Sequence, residues 1–266
     1  MQNVSTRELC VWIDSTLSTT SFNDYCPNGL QVEGQPQVSH IIAGVTACEA
    51  LIDEAIAKGA DTLLVHHGWF WKGEDPRVRG TRKNRLAKLL AHNINLLAYH
   101  LPLDAHPVLG NNAQLAQILG LIPDRQALPD TTHIENNLPV TAGPGNLIWL
   151  GSMPGAPNLG QIAQQTEQRL GRAPLVIGDM DMKIERIAWC TGAAQNMLGD
   201  AIDAGAQCFI TGEISEPVVH LARESGVAFI SAGHHATERY GVQALGREIA
   251  RTFNVRVDFI DIDNPV

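Results

Sequence analysis

The chain alternates between short, almost purely apolar runs and longer stretches in which apolar residues recur at helical spacing. Residues 41–47, 62–65, 94–99, 186–190, 208–211 and 227–232 are the apolar runs, each bounded by Gly, Thr or Asn signals. Runs of that length and composition predict strands of a parallel sheet covered on both faces. Between them lie Ala-rich or polar helical stretches near 55–58, 84–93, 200–205 and 216–225. Gly59 and Gly205 close two of these, as a left-handed C-cap requires. Residues 1–17 read as an amphipathic helix, and Glu8 and Asp14 inside its apolar pattern argue against a signal peptide. A helix over 237–253 and an alternating strand over 255–259 are expected to close the chain, the strand folding back onto the first lobe.

Stretches 41–67 and 186–213 carry the same order of signals: apolar strand, Gly/Thr turn, helix ending in Gly-Ala, second buried strand. Each continues through a polar helix into a strand that ends on a histidine, His100 in one case and His234 in the other. Strand and helix in alternation predict an α/β fold of two related lobes from an internal duplication, each with a largely parallel sheet flanked by helices. The expected lobes are residues 1–125 with 233–266, carrying most candidate ligands, and residues 126–232. Pro-, Gly- and Asn-rich connections occupy 123–139 and 143–157.

With 266 residues the chain can bury one large core or two modest ones. A charged fraction of 18% beside 44% apolar residues excludes a disordered chain. No apolar run approaches the roughly 20 residues of a membrane-spanning helix. A formal charge of −9 argues against a general binder of nucleic acid or anionic membranes. Five scattered cysteines without a CxxC point to a reducing cytoplasm and buried, inert thiols. The chain has no GxxxxGK[ST], GxGxxG or GxSxG motif, which argues against ATP-driven chemistry, a Rossmann dehydrogenase and a serine hydrolase.

Ten histidines are the unusual feature, and several fall where predicted strands end. His66 and His67 terminate one strand; neighbouring strand residues point to opposite faces, so both reach one site only if the backbone turns there, and Gly68 is expected to supply that freedom. Carboxyl ends of parallel strands are where α/β proteins place ligands. His100 and Asp104 follow a second strand, Asp104 in a loop stiffened by Pro102 and Pro107. His234 and Glu238 follow a third, four positions apart and so on one face if a helix has begun. Imidazoles with carboxylates suit a mid-series divalent ion of the Zn, Mn or Fe class. His66, His67, Asp104, His234 and Glu238 would saturate one ion, or hold two ions that share a carboxylate and keep open positions, the arrangement of catalytic sites.

Taken together, His66-His67-Gly68, the segment 99–104 (YHLPLD), the segment 212–216 (GEISE) and the segment 233–239 (GHHATER) resemble the dinuclear-metal family related to the yeast Ngg-interacting factor three, often described as GTP cyclohydrolase 1 type 2 homologues. The segments 28–32 (NGLQV) and 259–261 (FID) also fit, so the resemblance spans nearly the whole chain, in the short form without an inserted domain. It implies one ion on His66, Asp104 and Glu238, a second on His67, His234 and the same Glu238, and a ring-shaped homohexamer. It further implies a metal-dependent hydrolase acting on a nucleotide-like or heterocyclic substrate. The competing reading is a metal-binding assembly or regulatory interaction protein without turnover.

Other residues are assigned smaller parts. His100 and Glu213 are candidates to stand behind the ligands or relay protons, and Glu216 to face the cleft. The basic stretch Arg77, Arg79, Arg82, Lys83 and Arg85 is either a solvated run or a phosphate receiver. Trp69 and Trp71, flanking Phe70, either stack on a heterocycle or pack beneath their loop. His40, His92, His133 and His220 are assigned structural roles.

Overall fold

The computed structural model describes residues 3–126 and 138–266. Its chain divides into two compact units, Met1–Gly110 with Arg239–Asp263, and Asn111–Glu238 with Asn264–Val266. The division at Gly110 precedes the expected one at residue 125, because strand Ile122–Pro123 pairs with Ile148–Ser152 and helix Asn111–Leu119 packs on helix Leu159–Leu170. His133 lies outside the described residues.

In the first unit a five-stranded sheet runs in the order Arg256–Phe259, His40–Thr46, Thr62–His67, Asn95–Ala98 and Gly29–Val32. The first three pairings are parallel and the last is antiparallel. The expected return of the tail is therefore present as a parallel edge strand. Alternation along each strand splits the core in two. Ile41, Ala43, Leu64 and Leu97 join Leu9, Ile13, Val242, Leu245 and Ile249 on one face. Ile42, Leu63, Val65 and Leu96 join Leu51, Ile52, Ala55 and Leu89 on the other. Both faces are dry, which is why these strands read as continuous apolar runs; each fully buried aliphatic side chain contributes roughly 1.5–3 kcal/mol.

Local signals set the helix ends. Ser5 caps helix Thr6–Leu17 by accepting from the Glu8 amide, and the helix stops at Ser18 in left-handed backbone (φ 51°). Helix Glu49–Ala57 ends before Gly59 at φ 64°, as the sequence predicts.

The second unit carries a mixed sheet: Leu175–Ile177, Ala228–Ser231, Cys208–Thr211, Ile187–Trp189, Ile148–Ser152 and Ile122–Pro123, with Thr141–Ala142 also on Ile148–Ser152. Only the three strands Ile187–Trp189, Cys208–Thr211 and Ala228–Ser231 are mutually parallel; the flanking pairings are antiparallel. These three follow one another in chain and in space, as His40–Thr46, Thr62–His67 and Asn95–Ala98 do in the first unit. In each unit the carboxyl ends of such a trio lead into the candidate residues. Helix His234–Phe253 begins in the second unit, three residues before its expected start, and continues into the first. Among the described residues no helix is long and apolar enough to cross a membrane.

Candidate metal centre

In the first unit His66 is the most enclosed candidate, with no exposed surface. Its Nδ1 lies 2.9 Å from the Tyr99 carbonyl oxygen. A carbonyl only accepts, so Nδ1 carries a proton and Nε2 is the ring nitrogen that faces away from that bond. Nε2 stands 3.5 Å from the Asp104 carboxylate, which is 6% exposed at the end of the short helix Leu101–Ala105 rather than in the expected loop. His67 occupies the last strand position beside His66, ring centroids 4.5 Å apart, with Nδ1 3.2 Å from the Thr46 hydroxyl.

Gly68 permits this pairing for a reason other than the one expected. It lies outside the left-handed backbone region, and its need is for space: a Cβ there would overlap the Gln31 side-chain oxygen and sit 2.5 Å from the Ala98 Cβ. The same Gln31 oxygen accepts from the Trp69 amide at 2.6 Å. Gly68→Ala is therefore expected to lower stability by about 1–3 kcal/mol through overpacking, read as a lower urea midpoint at unchanged m-value.

His100 is drawn into the same group. Its ring lies 5.1 Å from that of His66 and 5.8 Å from that of His67, with Trp71 edge-on at 5.0 Å. Its Nδ1 donates to Asp24 at 2.7 Å. Asp24 also accepts from the Tyr25 amide (2.6 Å), the Asn28 side chain (2.9 Å) and the Leu101 amide (2.9 Å). Burial works to raise the Asp24 pKa, yet these bonds, His100 foremost, bring it down to about 2. Asp24 escaped the sequence reading because it sits in a polar turn with no periodic signal; its nearness to the Asn28-Gly29 segment was the only hint.

The second unit holds the other candidates. His234 opens the long helix, and its Nε2 is 3.1 Å from Glu238 one turn on, the face-sharing that the spacing of four predicts. Its Nδ1 is 2.7 Å from Glu213. Burial lowers the His234 pKa, but the Glu238 and Glu213 carboxylates outweigh it and carry it up to about 9. Two carboxylates thus flank one imidazole, each facing its own ring nitrogen, at a place where the protein's own groups call for positive charge. Glu238 is 3% exposed and lies against Gly192, which has left-handed backbone (φ 70°) and a backbone amide donating to the Thr237 hydroxyl. Glu216 is exposed at the start of helix Glu216–Ser225 and has no such placement.

The remaining assignments divide. Trp69 is 7% exposed and donates its indole N–H to the Ala47 carbonyl, so it packs beneath the loop, whereas Trp71 lies beside His67 and His100. The basic stretch is partly paired from within: Arg77 and Arg79 bind Asp75, Arg82 binds Glu74, and the Arg82 guanidinium covers the Phe70 ring at 5.7 Å. Arg77, Arg79 and Lys83 are exposed, and Arg82 and Arg85 are half-buried. His40 bridges to Asp258 on the neighbouring strand at 2.8 Å, a structural role. His92 and His220 are exposed. None of the five cysteines forms a disulfide, and burial lifts the Cys26 and Cys208 thiols to about 12.

Imidazoles oriented by hydrogen bonds beside buried carboxylates, all at the carboxyl ends of parallel strands, define a mixed α/β protein whose clustered His, Asp and Glu residues could bind metal. Comparison with known proteins carries the identification further. The profile of Duf34/NIF3 (NGG1p interacting factor 3) matches residues 4–265, and the chain belongs to that family. It is 49% identical, over 97% of its length and 98% of the relative's, to a GTP cyclohydrolase 1 type 2 homolog of Neisseria meningitidis serogroup B. Its identity to the protein of the same description in Escherichia coli K12 is 47% over the full length of both. A solved structure described as protein ybgI of unknown function superposes with a TM-score of 0.89 at 45% identity, covering 99% of this chain and 100% of that one.

Proposed function

We propose that the chain is a metal-dependent hydrolase that holds two divalent ions of the Zn, Mn or Fe class on His66, His67, Asp104, His234 and Glu238. The observation that carries the reading is the enclosed His66: its Nδ1–H is fixed by the Tyr99 carbonyl and its Nε2 faces the Asp104 carboxylate, an arrangement that suits a cation held by the neutral ring and the carboxylate. The donor chemistry fits. Neutral imidazole and carboxylate are the ligands of mid-series divalent ions, and no thiolate belongs to the set. His66, Asp104 and Glu238 would hold one ion, and His67, His234 and Glu238 the other. When bound, such ions supply Lewis acidity and an acidified water.

The protein's own groups do the rest. Tyr99 holds the His66 Nδ1–H, Glu213 orients the His234 ring, and the Leu101–Ala105 helix carries Asp104. Trp71 offers an aromatic face beside the histidines. The names of the relatives, together with that face, favour a nucleotide-like or heterocyclic substrate. Assembly as a ring-shaped homohexamer in the cytoplasm belongs to the same proposal.

The test is metal content per chain followed by hydrolysis assays on GTP, other nucleotides and cyclic amides, comparing wild type with Glu238→Ala and His67→Ala. Two ions in the wild type and turnover reduced at least 100-fold in both variants are expected. Two ions with no turnover of any substrate would favour the metal-binding assembly role. Equal turnover in all three proteins would place the hydrolysis elsewhere.

A further inference from the structure

The basic loop that follows the histidine pair has no part in the two-ion proposal. Between Lys72 and Arg85 the chain places six basic side chains and two acidic ones, a local surplus of four positive charges in a chain whose formal charge is −9. We infer that this loop and the first turns of helix Gly80–His92 form a phosphate-binding site centred on Arg82 and Arg85, whose ligand is a polyphosphate, free or carried on a nucleotide. The site needs no bound metal, so it stands apart from the proposed ion ligands.

Ion pairing does not absorb the surplus. Asp75 is engaged by Arg77 and Arg79, and Glu74 by Arg82, which leaves Lys72, Lys83 and Arg85 with no acidic partner among the described residues. Glu49 and Asp53 of the neighbouring helix are taken by Lys88. Helix stability does not account for the charges either. Arg79, Arg82 and Lys83 sit at the amino end of a 13-residue helix whose first turn holds no acidic residue, where the helix dipole disfavours cations. Arg82 and Arg85, three apart, share a helix face on which like charges repel. An arrangement that costs the free protein stability makes sense once an anion neutralises it.

The geometry of the two arginines fits that anion. Both are half-buried, so their forks are held against the protein instead of ranging through solvent. The Arg85 Nε is buried without a hydrogen-bond partner, a donor that calls for an acceptor. The Arg82 guanidinium rests over the Phe70 ring, and Phe70 is itself held in left-handed backbone (φ 66°) with 40% of its surface exposed. Bulky residues are strained in that region, and here the strain presents a ring on which the guanidinium is oriented. Planar guanidinium forks bind phosphate oxygens two at a time, and a surplus of four charges suits a polyanion better than a single carboxylate. The loop is also anchored at the histidines: Trp71 stands edge-on to His100 at 5.0 Å, and the Lys72 amide donates to the Tyr25 carbonyl at 2.7 Å. Phe70 follows His67 by three residues, a span of at most about 11 Å.

Tripolyphosphate is the probe, with ATP, GTP and guanosine as comparisons. Its binding to the full chain is followed by titration calorimetry at low salt, as purified and after metal is stripped on a chelating resin. Wild type is compared with Arg85→Gln, Lys83→Gln and Arg251→Gln, the last removing one charge from an exposed pair with Glu248 on another helix. Thermal melts establish that each is folded; Lys83 is exposed, so Lys83→Gln keeps the test open should Arg85→Gln not fold. Saturable binding with and without metal is expected, weakened at least tenfold by Arg85→Gln, about threefold by Lys83→Gln and less than twofold by Arg251→Gln. ATP and GTP should compete with tripolyphosphate and guanosine should not. Nucleotides binding at least tenfold tighter than tripolyphosphate would assign the site to a nucleotide's phosphate chain, and equal or weaker binding to free polyphosphate. No saturable binding, wild-type affinity in Arg85→Gln, or equal losses in Lys83→Gln and Arg251→Gln would overturn the inference. Binding that vanishes with the metal would place the phosphates on the ions, overturning this inference while the two-ion proposal stands. A wild type that binds tripolyphosphate yet never holds an ion would do the reverse.

Discussion

Gly192→Ala is expected to disable the His234–Glu238 pair of the second unit while leaving the protein folded. A Cβ at this position would overlap the Glu238 carboxylate oxygen, stand 3.1 Å from its Cδ and 3.3 Å from His234 Nε2. The far end of a glutamate can move, so the collision is relieved by driving the carboxylate away from His234. That displacement removes the functional group at modest cost in fold stability. A second cost is conformational: φ of 70° is left-handed, and a non-glycine residue there costs roughly 1–2 kcal/mol. Gly171→Ala separates the two effects. Gly171 has almost the same φ, 71°, with nothing within 4 Å of the added atom. Both variants should lose similar stability in thermal melts, but only Gly192→Ala should lose Co²⁺ binding, by at least tenfold. Equal metal affinity in the two would show that Gly192 serves the backbone alone.

Asp24→Ala is expected to be among the most damaging single substitutions in the first unit. It leaves the Tyr25 and Leu101 amides, the Asn28 side chain and the His100 ring without their common acceptor. Removing one partner from buried polar groups costs about 1–3 kcal/mol per stranded group, and some of these will find water, so a loss of about 3–5 kcal/mol is anticipated. The wild-type carboxyl gives a matching pH signature. Its pKa falls from 3.8 in the unfolded chain to about 2 in the folded one. The folded state therefore binds the proton less readily, and the associated stability is present above pH 4 and lost as pH falls through 2. Denaturant titrations between pH 2 and pH 5 should show a steeper loss for the wild type than for Asp24→Asn. Parallel curves would mean that the Asp24 bonds do not differ between the two states.

Much of the site was legible before folding because its signals are local. A histidine pair at the end of an apolar run, and His234 four before Glu238, are short-range patterns, and backbone periodicity converts them directly into position. The strands Thr62–His67 and Cys208–Thr211 likewise announced themselves, since a run buried on both faces has to be apolar throughout. The basic stretch 77–85 shows the limit of the same method: its charge is evident in sequence, but the pairing of three of its arginines with Glu74 and Asp75 depends on how the loop closes.

By itself, then, the sequence determined the α/β class, the order of strands and helices, and the residue types gathered at the carboxyl ends of parallel strands, because each depends on composition and spacing within a few turns of chain. Tertiary structure alone decided that Asp24 grips His100 from 76 positions away, that Gly68 and Gly192 are glycines to make room for side chains, and that Trp71 rather than Trp69 stands beside the histidines. Those outcomes are contacts between distant segments, and a contact made by closing a long loop leaves no periodic trace in the residues that make it.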